Sequence, residues 1–229
     1  MYGPSNTGIS PDGAADLIRA GGVVIFPTET FFGMGGRALD ADATARVYRI
    51  KRRSNMHPLP LVAADESQLE LVCRIPDELL PLLRAFWPGP LTAVLPARLR
   101  VPEILSCGTG MVAVRITAHP VCRGLALAAD EPLTASSANI SGKPPVTQAK
   151  DLDPELIRGV DGVLDGPPAP GGGEPSTLIE PQGSDPRRIR IIRPGAISAQ
   201  ALGAAGFIVL EDGQAGQPGQ AAGRPGRES

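Results

Sequence analysis

The chain has 229 residues, enough for one large domain with a sizeable core. Hydrophobic residues make up 42% and charged residues 20%, the balance of an ordinary globular protein. A net charge of −2 excludes a global field that would draw the chain onto nucleic acid, and 3% aromatics argues against a base-stacking surface.

In chain order, Ser10 and Pro11 read as the N-cap and first residue of a helix, with Ala14, Leu17 and Ile18 on its apolar face and Gly21-Gly22 as its stop. "VVIFP" at 23–27 reads as a short buried strand, and "FFGMGGRALD" as a glycine-rich turn. Asp42 is placed to cap a helix carrying Ala43, Val47 and Ile50 on one face and ending in Lys51, Arg52 and Arg53. "PLPLVAA" at 58–64 reads as a strand that its prolines place at a sheet edge. "DELLPLLRAFW" reads as a helix strained by Pro81. "LTAVLPA" and "MVAVRIT" read as strands, "HPVCRGLALAAD" as a helix, and "PLTAS", "GVLD", "STLIE" and "RIRIIR" as further strands. Alternating strands and helices, with some strands adjacent, predict an α/β fold with an open, twisted mixed sheet and flanking helices. The folded domain is expected over 8–205. Residues 212–229 are rich in Gly, Gln, Ala and Pro without an apolar face and read as a disordered tail with no catalytic role.

No apolar run approaches the roughly 18 residues of a membrane span. The opening segment lacks the basic-then-apolar pattern of a secretory signal, and a reducing cytoplasm is the expected compartment. Cys73, Cys107 and Cys122 are odd in number and far apart, and His57 and His119 are the two histidines, so neither a disulfide framework nor a metal centre built from protein side chains is expected.

Several stretches carry more polar chemistry than their elements need. Lys51, Arg52 and Arg53 read either as cations that complement a helix C-terminus or, because "SNMHPLP" follows, as a phosphate clamp at a loop mouth. Arg115 in "VAVRIT" is either a solvent-facing edge arginine or a fork donor for a carboxylate held on a rigid strand. "PLTASSANISGKPP" at 132–145 packs hydroxyls and an amide where a simple turn needs few. "GGGEPST" at 171–177 is a weak phosphate-loop signal, and Arg193 ends a strand. Glu29, in "PTET", is the carboxylate of the glycine-rich region, yet no general acid or base stands out. Catalysis would rest on positioning and charge neutralisation.

Taken together and in order, "VVIFPTETFFGMGG", "YRIKRRSNMHPL", "FWPGPLTAVLPA", "MVAVRITAHP", "LTASSANISGKPP", "PSTLIE" and "IRPGAI" resemble the YrdC-like family of L-threonylcarbamoyladenylate synthases over residues 11 to 198. Little chain follows residue 200, so the similarity is to the short, single-domain members. The resemblance implies a YrdC-like sheet around a concave, basic cavity. It implies conversion of L-threonine, bicarbonate and ATP, the last with magnesium, into threonylcarbamoyl-AMP and pyrophosphate. That product feeds the threonylcarbamoyladenosine modification of tRNA through a downstream transferase complex, whether or not this chain itself touches tRNA. It further implies that Lys51, Arg53, His57, Ser137, Ala138, Asn139 and Arg193 bind ATP, and that Thr30, Arg115, Ser136 and Ser176 bind threonine. Val62 stands where many members carry a histidine. The competing readings are a double-stranded RNA-binding module and a carbamoyltransferase using carbamoyl-adenylate on the same fold.

Overall fold

Helix α1, Pro11–Arg19, starts where its residues dictate: the Ser10 hydroxyl accepts from the Gly13 amide and Pro11 occupies the first turn. The computed structural model describes residues 7–53 and 58–210. The expectations for His57 and for 212–229 lie outside the described residues. After α1 come β1 (Val24–Pro27), β2 (Phe32–Gly35), α2 (Ala41–Lys51), β3 (Leu61–Ala63), α3 (Glu66–Val72) and α4 (Leu80–Arg84). Then follow β4 (Leu91–Pro96), α5 (Glu103–Ser106), β5 (Met111–Ile116), α6 (Pro120–Ala128), β6 (Leu133–Thr134) and β7 (Ser136–Ser137). The remainder is α7 (Pro154–Gly159), β8 (Gly162–Val163), β9 (Thr177–Pro181), β10 (Arg188–Arg193), α8 (Ala199–Ala204) and β11 (Ile208–Val209).

The class is α/β as expected, but the strands divide between two mixed sheets. One runs β7-β2-β1-β8 and the other β11-β10-β9-β4-β5-β3-β6. A larger core fills the space between the sheets and under α2 to α5, with Phe32, Met34, Leu91 and Leu95 fully buried. A second core lies beneath α1 and α6, where Ile18 and Cys122 meet Val24, Phe26, Val62 and Leu164.

Four local expectations are corrected. The glycine-rich "turn" contains strand β2, paired antiparallel with β1 from Val24–Gly35 to Pro27–Phe32. Its glycines serve close approach: a Cβ on Gly35 would sit 1.6 Å from the Thr134 carbonyl oxygen. The N-cap of α2 is Asp40, whose carboxylate accepts from the Asp42 and Ala43 amides, because Asp42 already lies in the first turn. Strand β3 is interior, flanked by β5 and β6, because Pro58 and Pro60 precede the paired residues and cost the ladder no donor. Pro81 sits in the first turn of α4, where its missing N–H has no helical partner to lose.

The two kinds of glycine give a direct test. Gly35→Ala should cost more than about 4 kcal/mol, the range reserved for gross steric conflict. Gly124→Ala, in α6 with nothing within 4 Å of the added Cβ, should stabilise by roughly 0.5–1 kcal/mol. Urea unfolding of the two variants measures both.

Candidate active site

A cavity of about 540 Å³ opens over the seven-stranded sheet. Its floor is one cross-strand row. Thr92 of β4 pairs with Leu178 of β9, and Val62 of β3 pairs with Arg115 of β5. The β4–β5 register places Ala93 opposite Val114, so Thr92 stands beside Arg115 one step further along. The row Leu178–Thr92–Arg115–Val62 therefore points one way, and all four residues line the cavity. Arg115 is no exposed edge residue; it is 7% exposed in the middle of the sheet.

The Arg115 guanidinium lies 3.4 Å from the carboxylate of Glu29, which sits on the loop between β1 and β2. The other Glu29 oxygen accepts from the Thr117 hydroxyl at 2.8 Å and the Ala118 amide at 2.6 Å. Burial opposes ionisation of Glu29, but Arg115 and these donors outweigh it and hold the carboxyl below its ordinary value of 4.5. The Arg115 Nε is buried with no hydrogen-bond partner among the described residues. A guanidinium fixed in a cavity floor by one carboxylate has the fork geometry to receive a second carboxylate or similar anion.

Of the candidates named from sequence, Thr30, Arg53, Arg115, Ser136, Ser137, Ser176 and Arg193 line this cavity. Lys51, Arg53, Ser137 and Asn139 line a second cavity, of about 410 Å³, which shares Arg53 and Ser137 with the first. Ala138 is buried and its amide donates to the Phe32 carbonyl, so it anchors the segment without facing either cavity. Arg193 donates to the Ser176 carbonyl at 2.8 Å and to its hydroxyl at 3.1 Å. Burial, then the fields of Arg115 and Arg53, lowers the pKa of Arg193, as expected for three cations around one cavity.

Lys51 ends α2 with its ammonium turned inward. It donates to the Ser137 carbonyl, to the Asn139 carbonyl at 2.7 Å and to the Asn139 side-chain oxygen at 3.5 Å, while its own carbonyl accepts from the Ser141 amide. Burial and the neighbouring Arg53 bring its pKa down to about 8. The glycine-rich loop also has internal work: the Gly171 and Gly172 amides donate to the carbonyls of Glu29 and Thr30.

Sequence reasoning missed Thr92 and Leu178, and it noted Val62 without its place in this row. It saw Glu29 without its partner. Their role depends on cross-strand register, which no local pattern contains.

The family model described as "Telomere recombination", covering Sua5, YciO and YrdC, matches residues 16–195. The chain belongs to this Sua5/YciO/YrdC family. Among curated Sua5/YciO/YrdC-type relatives, the threonylcarbamoyl-AMP synthase of Pyrococcus abyssi (strain GE5 / Orsay) is 38% identical over 190 residues, 82% of this chain and 55% of the relative. The threonylcarbamoyl-AMP synthase of Stenotrophomonas maltophilia (strain K279a) is 40% identical over 158 residues, 68% of this chain and 85% of the relative. The chain thus spans about half the length of the Pyrococcus relative and most of the Stenotrophomonas one. The crystal structure of P. abyssi Sua5 complexed with L-threonine superposes with a TM-score of 0.78 at 35% identity, covering 87% of this chain and 58% of that one.

The Glu29–Arg115 pair sets a testable pH dependence. The Glu29 and Arg115 side chains are 15% and 9% exposed, so solvent screens the pair little. Because the folded pKa of Glu29 lies below 4.5, its stabilisation is complete above that value and is lost as pH falls through the depressed one. Glu29→Gln should cost about 3 kcal/mol or more at neutral pH by leaving Arg115 uncompensated. It should also remove part of the acid sensitivity, read as a smaller drop in urea midpoint between about pH 7 and about pH 3.

Proposed function

We propose that the chain condenses L-threonine, bicarbonate and ATP into threonylcarbamoyl-AMP, releasing pyrophosphate. The observation that carries this is Arg115: a buried guanidinium in the floor of a cavity set with hydroxyls, which shares Arg53 and Ser137 with a second, cation-lined cavity. The names of the curated relatives and the threonine-bound Sua5 neighbour support the same reading.

In this reading Arg115 takes the α-carboxylate, and Thr30, Ser136 and Ser176 surround the rest of the amino acid. Arg53 faces both cavities and is held loosely, at 3.4 Å from the Ser136 hydroxyl and 3.3 Å from the Pro58 carbonyl, so it is free to turn to phosphate. Arg193 adds positive charge on the same side. Asn139 and Ser137 would face the nucleotide, and His57 is proposed to join them. Lys51 contributes its charge while its N–H groups hold the 137–141 segment in shape.

The chemistry divides into two steps. The threonine amine attacks bicarbonate and water leaves, giving a carbamate. A carbamate oxygen then attacks the α-phosphorus and pyrophosphate departs. Lys51, although its pKa comes down to about 8, is engaged by the Ser137 and Asn139 carbonyls, so in this reading the chain's contribution is alignment and stabilisation of developing negative charge. Among the described residues no group of His, Cys, Asp and Glu side chains converges to hold a metal; magnesium would arrive with the ATP phosphates, and no step is routed through it. The product would supply a threonylcarbamoyl transferase acting on tRNA. Among the described residues no helix is long and apolar enough to cross a membrane, and a cytoplasmic site of action fits these substrates.

Pyrophosphate release with each amino acid in turn tests the proposal. Threonine should support turnover. Serine should fall by about 10–200-fold in kcat/KM, the effect of one lost methyl, and valine should fall much further because it leaves polar groups unpaired. Arg115→Lys should be inactive with threonine, since a point charge cannot replace a two-pronged grip. Pyrophosphate release indifferent to the amino acid would contradict the assignment. Separately, Arg53→Ala should weaken ATP binding by about tenfold or more in calorimetry, with the melting temperature little changed.

A further inference from the structure

Thr92 has no role in the reading above, yet it is 1% exposed, lines the cavity and stands beside Arg115 in the floor row. Its hydroxyl is 2.9 Å from the Ser176 hydroxyl. The Ser176 hydroxyl also receives a hydrogen bond from Arg193 at 3.1 Å.

Counting protons fixes what this pair can do. Arginine only donates, so the Ser176 oxygen accepts from Arg193. The two hydroxyls carry two protons, and their mutual bond uses one. If Thr92 donates to Ser176, the serine proton is left over. If Ser176 donates to Thr92, the threonine proton is left over. In both cases the pair holds one unspent O–H donor in the cavity, with Arg193 drawing electron density from it. The pair also keeps two lone pairs free, so a substrate hydroxyl that accepts this proton can donate its own in return.

We infer that Thr92 is a specificity-determining residue of the amino-acid site, acting with Ser176 as a single donor aimed at the β-hydroxyl oxygen of the substrate. This rests on the proposed function. Arg115, next in the row, is occupied by the α-carboxylate, so the hydroxyl is the substrate oxygen left for a neutral donor. Leu178 and Val62, at the two ends of the row, offer apolar surface for the substrate methyl. The floor of the cavity would thus read carboxylate, hydroxyl and methyl along one line of adjacent strands.

The test compares threonine with valine, which replaces the hydroxyl by a methyl. In the wild type, threonine should be strongly preferred. Thr92→Val removes the hydroxyl at nearly constant shape and should lower kcat/KM for threonine by about tenfold or more, the effect of a buried polar group left unpaired. It should leave valine turnover nearly unchanged, so the threonine-to-valine ratio falls by the same factor. The KM for ATP should not move. Thr92→Ser should restore the ratio to within a few fold. Thr92→Ala serves the same comparison should the valine variant fail to fold. If the variants keep the wild-type ratio, Thr92 is a packing residue and the inference is wrong while the function stands. A wild type that releases no pyrophosphate with threonine overturns the function and the inference together.

Discussion

The ion pair between Glu29 and Arg115 ties the β1–β2 loop of the smaller sheet to the interior of the larger one, beside the backbone bridge that links Arg37 to Leu133. Glu29 lies on the loop joining β1 to β2 in the four-stranded sheet, and Arg115 is an interior residue of the seven-stranded one. A charge buried without a partner costs several kcal/mol, so each residue dictates where the other must be. Much of the site follows from that constraint. The β1–β2 loop is pinned over the sheet, which carries Thr30 to the cavity. The amides of Gly171 and Gly172 then close on the carbonyls of the same loop. The pair also fixes the guanidinium in the cavity floor, where the proposed function has it meet a second carboxylate.

The three consecutive cations at the end of α2 show how one motif distributes its charges. Lys51 turns inward and ties down the segment carrying Ser137 and Asn139. Arg52 takes the left-handed conformation that ends the helix, at φ 52°, and its side chain pairs with Glu155. Arg53 is left facing both cavities. A phosphate clamp made of Lys51 and Arg53 together therefore becomes a division of labour. In the proposed function the lysine shapes the wall and supplies charge, and the arginine supplies donors held only by longer hydrogen bonds. Turning Lys51 out to a ligand would leave the Ser137 and Asn139 carbonyls without their donor.

The parts of the fold that were legible in sequence are those set by local pattern. Strands at 23–27, 91–96, 111–116 and 188–193 announce themselves by apolar and β-branched runs, and α1 by its cap and proline. Strand β2 was hidden because glycine signals a turn when read alone, whereas here Gly35 is needed for the approach of Thr134. The interior position of β3 was hidden because prolines at 58 and 60 mark its entrance and not its ladder. In the site, Arg115 was legible as a charge where alternation called for something apolar. Thr92 was not, since a threonine within "LTAVLP" is unremarkable until β9 and β5 are placed on either side of it. Glu29 was visible as a residue, but its partner lies on another sheet, and only tertiary structure brings them together.

A crystal structure of this chain with L-threonine tests the central claim most directly. The account predicts both carboxylate oxygens of the amino acid at about 2.7–2.9 Å from Arg115 nitrogens, the geometry of a charged two-pronged pair, with the Glu29–Arg115 contact intact and the β-hydroxyl facing Thr92 and Ser176. A carboxylate bound instead to Arg53 or Arg193, with Arg115 still unoccupied, would contradict it.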